Sequence, residues 1–235
     1  SQRDVTYEFP PNLKERTTPE SNNLIWDQTD TTFSLSDGQN IIWKFNFNDR
    51  FGKTYFHPVR VGNSTLTCVS PPDHTWHLGL WFSWKFINGV NYWEYLDNRK
   101  SAETGYKSAG ITVLEKIDIK KNPDYSSDII MELKYHPSNG DSVMNENRSI
   151  HISEPSADGS YSMDYDFLFE PLIDEVVLDR TPIEGEHEGQ SWGGYSGLSI
   201  RFSQDLTLPE IIIPADNQNY RKANWFYMGF STLNG

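Results

Sequence analysis

The chain has 235 residues, of which 20 are basic and 33 acidic, so its formal net charge is −13, and 14% of its residues are aromatic. This acidic balance argues against a nucleic-acid partner, because lysine and arginine dominate protein contacts to phosphate. The sequence has no apolar run of about 18 residues, which argues against a membrane span, and its length suits one large domain.

The chain begins with Ser1 and stays polar up to residue 23. Such a stretch is typical of a linker that remains after a targeting segment has been removed. We therefore expect an extended leader or linker over residues 1–23, export from the cell, and a single domain over residues 24–235. The single cysteine, Cys68, cannot form an internal disulfide, and its place within a candidate strand makes it a poor nucleophile.

Segments in which apolar and polar residues alternate follow one another along the chain, with no amphipathic helix between them. The predicted strands cover residues 43–47, 53–61, 77–86, 111–119, 128–135, 148–153, 161–169, 198–202 and 225–230. The predicted loops, rich in Asn, Ser, Gly and Pro, cover residues 121–127, 136–147 and 153–160. Many strands of this length predict an all-β fold, a large antiparallel β-sandwich of two sheets.

His57 and Arg60 lie in the predicted strand 53–61, beside Pro58. Proline cannot donate to a β-ladder, so this part of the strand is expected at a strand end or a sheet edge. His57 is a candidate base, and Arg60 is a candidate cation for a substrate carboxylate or a developing oxyanion. The alternative is an ordinary His-Arg pair on the surface.

Residues 71–84, with the sequence PPDHTWHLGLWFSW, join two histidines and a carboxylate to several tryptophans. Asp73, His74 and His77 can move protons or hold a metal, and tryptophan faces suit stacking on sugar rings. In the predicted strand 77–86, His77 shares a face with Trp81 and points away from the apolar face. A half-buried strand explains the alternation but needs no histidine there, so we interpret the segment as the floor of a polar binding site.

The spacing of His74 and His77, three residues apart, suits metal ligation on a helical turn. In an extended chain the two side chains point to opposite faces unless a turn intervenes. We therefore expect no metal cofactor, and a divalent metal on His57, His74 and His77 is the alternative.

Residues 184–197, with the sequence EGEHEGQSWGGYSG, form a glycine-rich acidic loop that leads into the strand with Arg201. The loop lacks the Gly-Lys-Ser/Thr ending of a phosphate loop, and its charges repel phosphate. Glycines let a loop approach a ligand closely, so Trp192 and Tyr195 are candidates to line a substrate, or the segment is an ordinary hairpin loop. Residues 88–94 predict a hairpin turn, in which Glu94 is structural.

Four segments together carry a resemblance to a known family: YFHPVR at 55–60, PDHTWHLGLWFSW at 72–84, NGVNYW at 88–93 and GGYSGLSIR at 193–201. In their order and spacing, the chain from about residue 40 onward resembles the bacterial PmoA-like family of unknown-function domains. Trp76 stands where that family often has a further histidine, which weakens a metal site built on clustered histidines. Family members usually continue past the position of Gly235, so the resemblance implies that the closing strands of the sandwich are either missing from this chain or supplied in some other way.

The resemblance also implies carbohydrate chemistry, because members resemble proteins that are encoded beside polysaccharide-degradation enzymes. The chain is further similar to galactose-mutarotase-like supersandwich folds, which host epimerases and polysaccharide lyases. Chemistry carried over from a fold is an analogy only. The wall of histidine and aromatic residues, considered by itself, favours the same class of ligand.

The leading functional hypothesis is an exported carbohydrate-active enzyme that acts on oligosaccharides as a lyase or dehydratase, by elimination next to a uronic carboxyl. Elimination needs a base, an acid and a cation, whereas a glycoside hydrolase needs two flanking carboxyl groups, which the sequence does not evidently supply. The alternatives are a non-catalytic glycan-binding module and a metal-dependent sugar hydrolase or isomerase. The candidate catalytic residues are His57, His74, His77 and Tyr195, and the candidate substrate-binding residues are Arg60, Asp73, Trp81, Trp192 and Arg201.

Overall fold

A computed structural model describes residues 24–48, 51–94, 108–212 and 227–232 of the chain. The leader predicted over residues 1–23 lies outside these ranges. The described residues form the strands β1 (Ile25–Gln28), β2 (Thr32–Ser36), β3 (Ile41–Asn46), β4 (Tyr55–Val61), β5 (Ser64–Thr65), β6 (Leu80–Ser83), β7 (Phe86–Ile87), β8 (Val90–Asn91), β9 (Gly110–Lys121), β10 (Ser127–Pro137), β11 (Met144–Ile152), β12 (Met163–Pro171), β13 (Leu178–Asp179), β14 (Gly197–Ile200), β15 (Leu206–Ile212) and β16 (Tyr227–Thr232).

Two antiparallel sheets make up most of the fold. The larger has seven strands, in the order β1-β2-β3-β4-β6-β14 with β5 paired to β4, and the smaller has four, in the order β12-β11-β10-β9. Two short sheets, β13-β7-β8 and β15-β16, accompany them. The prediction of an all-β antiparallel sandwich is therefore confirmed. The described part of the chain contains no helix with the length and hydrophobicity of a membrane span.

The main core lies between the two large sheets and follows from the alternation of side chains along each strand. In β10, Ile129, Met131 and Leu133 are buried while Ile130 and Glu132 between them are exposed. The buried residues of this core are Phe33, Leu35, Trp43, Phe45, Phe47, Phe56, Val59, Ile129, Met131, Leu133, Ile150 and Ile152. Because both sheets contribute to it, burial of these side chains holds the sheets face to face.

A buried ion pair interrupts the inward face of β11. Arg148 donates from Nε to Glu146 Oε1 at 2.5 Å and from Nη1 to Thr54 Oγ1 at 3.2 Å, and Tyr135 also donates to Glu146. The guanidinium carbon of Arg148 lies 5.1 Å from the centroid of the Phe82 ring. The hydrogen bonds and the contact with the Phe82 ring thus replace the interactions with water that the Arg148 guanidinium loses on burial.

The strand predicted over residues 77–86 is wrong in its bounds, because the chain turns before β6 and breaks before β7. The assignment of faces is nevertheless correct around β6. Phe82 packs against Phe167 of β12 with ring centroids 4.4 Å apart, whereas Trp81 points the other way, toward His77. β6 therefore has one face in the sandwich core and the other at the site described below.

The prediction that His57 and Pro58 lie at a strand end or sheet edge is also wrong. Both lie inside β4, which pairs with β3 and β6 in the middle of the seven-stranded sheet. In the register of β3 with β4, Phe45 pairs with Phe56 and Trp43 pairs with Val59. His57 and Pro58 together therefore oppose the single residue Lys44, which is a β-bulge. Such a bulge accommodates a proline in an interior strand without a broken ladder bond.

Candidate active site

The segment 71–79 is a compact turn. His74 N donates to Pro71 O at 3.0 Å, and His77 N donates to His74 O at 3.1 Å. Gly79 ends the turn with a φ of +85°, and a Cβ atom there would lie 2.4 Å from the carbonyl oxygen of Phe56. The close approach and the positive φ explain why the position suits glycine.

The turn brings the two histidines together on one side of the chain. The rings of His74 and His77 are stacked, with centroids 4.6 Å apart and planes inclined by 21°. His77 in turn lies beside Trp81 of β6, with ring centroids 5.1 Å apart. The intervening turn thus removes the objection that histidines three residues apart face opposite ways.

Asp73 connects His74 to Arg201, which follows β14. Its Oδ2 atom lies 2.8 Å from His74 Nδ1 and accepts a hydrogen bond of 2.5 Å from Arg201 Nη2. The hydrogen bonds from His74 and Arg201 lower the pKa of Asp73 to about 2. Because Asp73 is then a carboxylate at neutral pH, Nδ1 of His74 carries the proton and Nε2 is left as an acceptor.

His77 is held in its neutral form. Burial and the adjacent His74 lower the pKa of His77 to about 4. Its Nδ1 atom is buried and has no hydrogen-bond partner among the described residues, so Nε2 is the nitrogen available to a ligand. A neutral ring can stack on His74 in either protonation state of His74 without repulsion between two positive charges.

His74 and His77 border a cavity of about 700 Å³, called here the aromatic cleft. Its volume is in the range of sites that enclose small molecules. Its lining residues are His74, Trp76, His77, Trp81, Trp93, Glu94, Trp192, Tyr195, Ser199 and Ile200. Flat aromatic side chains beside a few polar groups form the kind of surface that sugar rings contact.

A second polar group of the cleft centres on Glu94. Its Oε1 atom accepts a hydrogen bond of 3.2 Å from the Tyr195 hydroxyl, and its Oε2 atom accepts hydrogen bonds from Lys85 and, at 2.6 Å, from Asn91. Burial acts to raise the pKa of Glu94, but the hydrogen bonds from Lys85 and Asn91 outweigh it and lower the pKa. Glu94 is therefore a carboxylate at neutral pH.

Tyr195 keeps its proton at neutral pH. Burial, and then the carboxylate of Glu94, raise the pKa of Tyr195 to about 12. Its ring packs against Trp93 with centroids 5.3 Å apart, which fixes the hydroxyl near Glu94. The cleft thus offers an acceptor nitrogen on His74 and a protonated hydroxyl on Tyr195.

Lys53 lies buried behind this network. Its Nζ atom donates to the carbonyl oxygen of Trp93 at 2.6 Å. Burial lowers the pKa of Lys53 to about 7, although the negative charge of Glu94 acts in the opposite direction. The Lys53 side chain therefore loses its positive charge as the pH rises through about 7.

The two tryptophans predicted to stack on sugars differ in access. Trp192 is 63% exposed and its ring is stacked on that of Tyr195, with centroids 6.1 Å apart and planes inclined by 27°. Trp81 is only 3% exposed and is packed between His77 and Trp93. The burial of Trp81 argues against an open stacking face on that residue, whereas Trp192 has one.

His57 and Arg60 do not line the aromatic cleft. His57 Nδ1 lies 2.9 Å from Thr67 Oγ1, and burial lowers the pKa of His57. Arg60 is occupied by Thr65 Oγ1 at 3.1 Å and by the carbonyl oxygen of Asn63 at 2.8 Å. The catalytic role predicted for His57 and the substrate-binding role predicted for Arg60 therefore have no support in this geometry.

The alternative metal site also fails on geometry. Within the described parts of the chain, no three His, Cys, Asp or Glu side chains are grouped closely enough to hold a metal ion. His57 is bound to Thr67 and is not grouped with His74 and His77. Asp73 and Arg201 support the cleft through His74 and do not line it themselves.

Sequence reasoning missed the polar group around Glu94, which it treated as part of a hairpin. Lys85 and Glu94 both follow tryptophans, and their side chains are joined by an ion pair that is mostly buried. Asn91 caps the turn before Glu94, because its Oδ1 atom accepts from Trp93 N at 2.8 Å. The sequence signal that could have indicated this polar group is the position of Lys85 and Glu94, each directly after a tryptophan in an aromatic-rich segment.

A family model for a family of unknown function, DUF6807, matches residues 32–232. No curated protein and no solved structure matches the chain. This match does not test the resemblance to the PmoA-like family or to the supersandwich folds, and both stay predictions. Because the matched residues cover most of the sequence, the chain belongs to the family of unknown function DUF6807.

Proposed function

We propose that the chain is a carbohydrate-active enzyme that eliminates a group next to a uronic carboxyl, as a lyase or dehydratase does. The observation that carries the proposal is that one aromatic cleft contains both the acceptor nitrogen of His74 and the protonated hydroxyl of Tyr195. A group that can take a proton and a group that can give one are what such an elimination needs.

His74 is the base in this proposal. Its Nε2 atom takes the proton from the carbon next to the carboxyl, and Asp73 stabilises the imidazolium that forms. The neutral ring of His77, stacked on His74, adds no opposing charge. The choice of His74 over His77 follows from the hydrogen bonds, because His74 Nδ1 has an acceptor and His77 Nδ1 has none among the described residues.

Tyr195 is the acid. The electron pair of the broken C–H bond forms the new C=C bond, the C–O bond breaks toward oxygen, and that oxygen takes the Tyr195 proton. The oxygen accepts this proton as the C–O bond breaks and negative charge develops on it. His74 then releases its extra proton to solvent, and Tyr195 takes a proton from solvent.

Arg201 is the cation proposed for the uronic carboxylate. It does not line the cleft, but it follows Ile200 of the cleft wall and its side chain is 25% exposed. Its bond to Asp73 uses Nη2, so a carboxylate at the edge of the cleft can use its other N–H groups. A guanidinium suits this role because it binds carboxylates through two parallel hydrogen bonds. Charge that develops on the carboxylate as the α-proton leaves is then stabilised in place.

The proposal is tested by incubating the purified protein with uronate-containing oligosaccharides from pectin, alginate and glycosaminoglycans. We expect new ultraviolet absorbance from the conjugated unsaturated uronic acid, with products of matching mass. Tight binding of the same oligosaccharides without new absorbance or any mass change would contradict an elimination.

A second candidate function is a non-catalytic glycan-binding module. The observation that favours it is the open face of Trp192 at the cleft, since an exposed aromatic platform is sufficient to bind a sugar ring. In that case Trp192→Ala abolishes binding, whereas His74→Ala leaves it unchanged. Because an enzyme with a Trp192 contact shows the same pattern of binding, turnover separates the two functions: a binding module leaves the absorbance and mass of the oligosaccharides above unchanged, whereas the enzyme converts them.

A further inference from the structure

The aromatic groups of the cleft follow one another in a row. Ring contacts link His74 to His77 at 4.6 Å, His77 to Trp93 at 6.4 Å, and Trp93 to Tyr195 at 5.3 Å between centroids. Trp192 continues the row beyond Tyr195, at 6.1 Å. Trp192 is therefore next to the proposed acid and at the opposite end of the row from the proposed base.

The loop that presents Trp192 is built to hold it there. Arg180 binds Glu186 through two nitrogens at 2.9 and 2.7 Å, and Glu186 Oε2 also accepts from Ile183 N at 2.9 Å. Next to Trp192, Gly193 N donates to Gln190 O at 2.9 Å, and a Cβ atom on Gly193 would lie 1.9 Å from the carbonyl oxygen of Pro182. A large apolar side chain on a loop that is already held by hydrogen bonds and an ion pair loses little conformational entropy when a ligand binds.

From this arrangement we infer that Trp192 forms a separate subsite for the sugar ring attached to the leaving oxygen. The inference rests on the proposed function and deepens it. Tyr195 protonates the leaving oxygen, so the ring that this oxygen carries lies on the Trp192 side of Tyr195. A leaving group that is a sugar makes the reaction the cleavage of a glycosidic bond, and the substrate an oligosaccharide of at least two rings.

The alternative leaving group, hydroxide lost as water, has no surface for an indole to contact. A dehydratase therefore gains nothing from Trp192, whereas a lyase gains a stacking contact on each productive complex. The subsite consequently distinguishes the two reactions that the proposed function leaves open.

The test uses matched probes in the galacturonate, glucuronate, mannuronate and guluronate series. Each series supplies a disaccharide and a 4-O-methyl monosaccharide, in which a methyl group replaces the ring on the leaving oxygen. Binding is measured by calorimetric titration in a His74→Ala background, so that no probe is consumed. We expect one disaccharide to bind about tenfold more tightly than its methyl counterpart, and Trp192→Ala to bring that ratio close to one. Trp192→Phe, which keeps a ring, is expected to retain part of the ratio.

An unchanged ratio in Trp192→Ala, or no series in which the disaccharide is preferred, overturns the inference. Turnover by the wild-type protein is recorded on the same probes and reports on the proposed function separately. A ratio that depends on Trp192 without turnover contradicts elimination and keeps the ring subsite. Turnover with a ratio independent of Trp192 keeps elimination and contradicts the subsite.

Discussion

His74 Nδ1 lies 2.8 Å from Asp73 Oδ2, and the same relationship recurs between His151 Nδ1 and Asp128 Oδ1 at 2.7 Å. The two histidine side chains are also similarly accessible, at 45% and 48%. They differ in surroundings, because His74 lines the aromatic cleft and His151 lies in an acidic groove on the four-stranded sheet. The second pair is therefore an internal control for the first.

Replacing Asp73 by Asn tests whether this carboxylate orients His74. An amide can donate to Nδ1 and so favour the tautomer with the proton on Nε2, which removes the base. We expect the kcat of Asp73→Asn to fall by roughly 10²-fold or more. Asp128→Asn, which changes the control pair in the same way, is expected to keep wild-type kcat, and an equal loss in both variants contradicts the assignment.

The pKa of His77 predicts how stability depends on pH. The pKa is about 4 in the folded protein and near 6.5 in the unfolded chain, so the unfolded chain binds more protons between these values. The free energy of unfolding therefore falls as the pH is lowered from 6.5 to 4, and this contribution is fully present above 6.5. Urea denaturation of His77→Gln across this range should show a weaker pH dependence than the wild type. Identical slopes for the two proteins count against a buried neutral His77.

Lys53 predicts a second pH effect, at higher pH. Its pKa is about 7 in the folded protein and 10.5 as the ordinary value, so the unfolded chain binds the extra proton between these values. Stability contributed by this group therefore rises as the pH increases from 7 to 10.5. We expect Lys53→Met to flatten that rise in denaturation experiments, and a wild-type slope in this variant means that Lys53 stays charged when folded.

Arg148→Met tests the ion pair inside the sandwich. Removing Arg148 leaves the Glu146 carboxylate buried among apolar side chains, so we expect a loss of about 3–5 kcal/mol in the free energy of unfolding. The double variant Glu146→Leu with Arg148→Met leaves no buried charge and should recover part of this loss. A double variant less stable than the single one would show that the pair itself stabilises the fold.

The sheets could largely be predicted from the sequence, because their signal is local. Strands β9, β10 and β12 follow from alternation of apolar and polar residues, and Asp164 and Asp166 are exposed in β12 as their pattern predicts. The boundaries were less predictable. β11 begins at Met144, within a segment that its polar residues assigned to a loop, because Glu146 and Arg148 are buried as an ion pair.

The site could be predicted only in part. The Asp-His-x-x-His segment indicated the histidines, but their stacking depends on a turn fixed by Gly79 against Phe56, which is distant in sequence. His57 and Arg60 were assigned to the site from residue type and from the sheet edge that Pro58 predicted, but both lie in an interior strand and have other partners. Contacts between strands that are distant in sequence determine which side chains lie in the site. The alternation of residues along one strand does not predict these contacts.

The most direct test of the account is the turnover of His74→Ala compared with that of His151→Ala, measured by ultraviolet absorbance on an oligosaccharide that the wild type converts. We expect His74→Ala to lose about 10²-fold or more in kcat while still binding the oligosaccharide, and His151→Ala to keep wild-type kcat. Full turnover by His74→Ala would contradict the assignment of His74 as the base and, with it, the proposed elimination in the aromatic cleft.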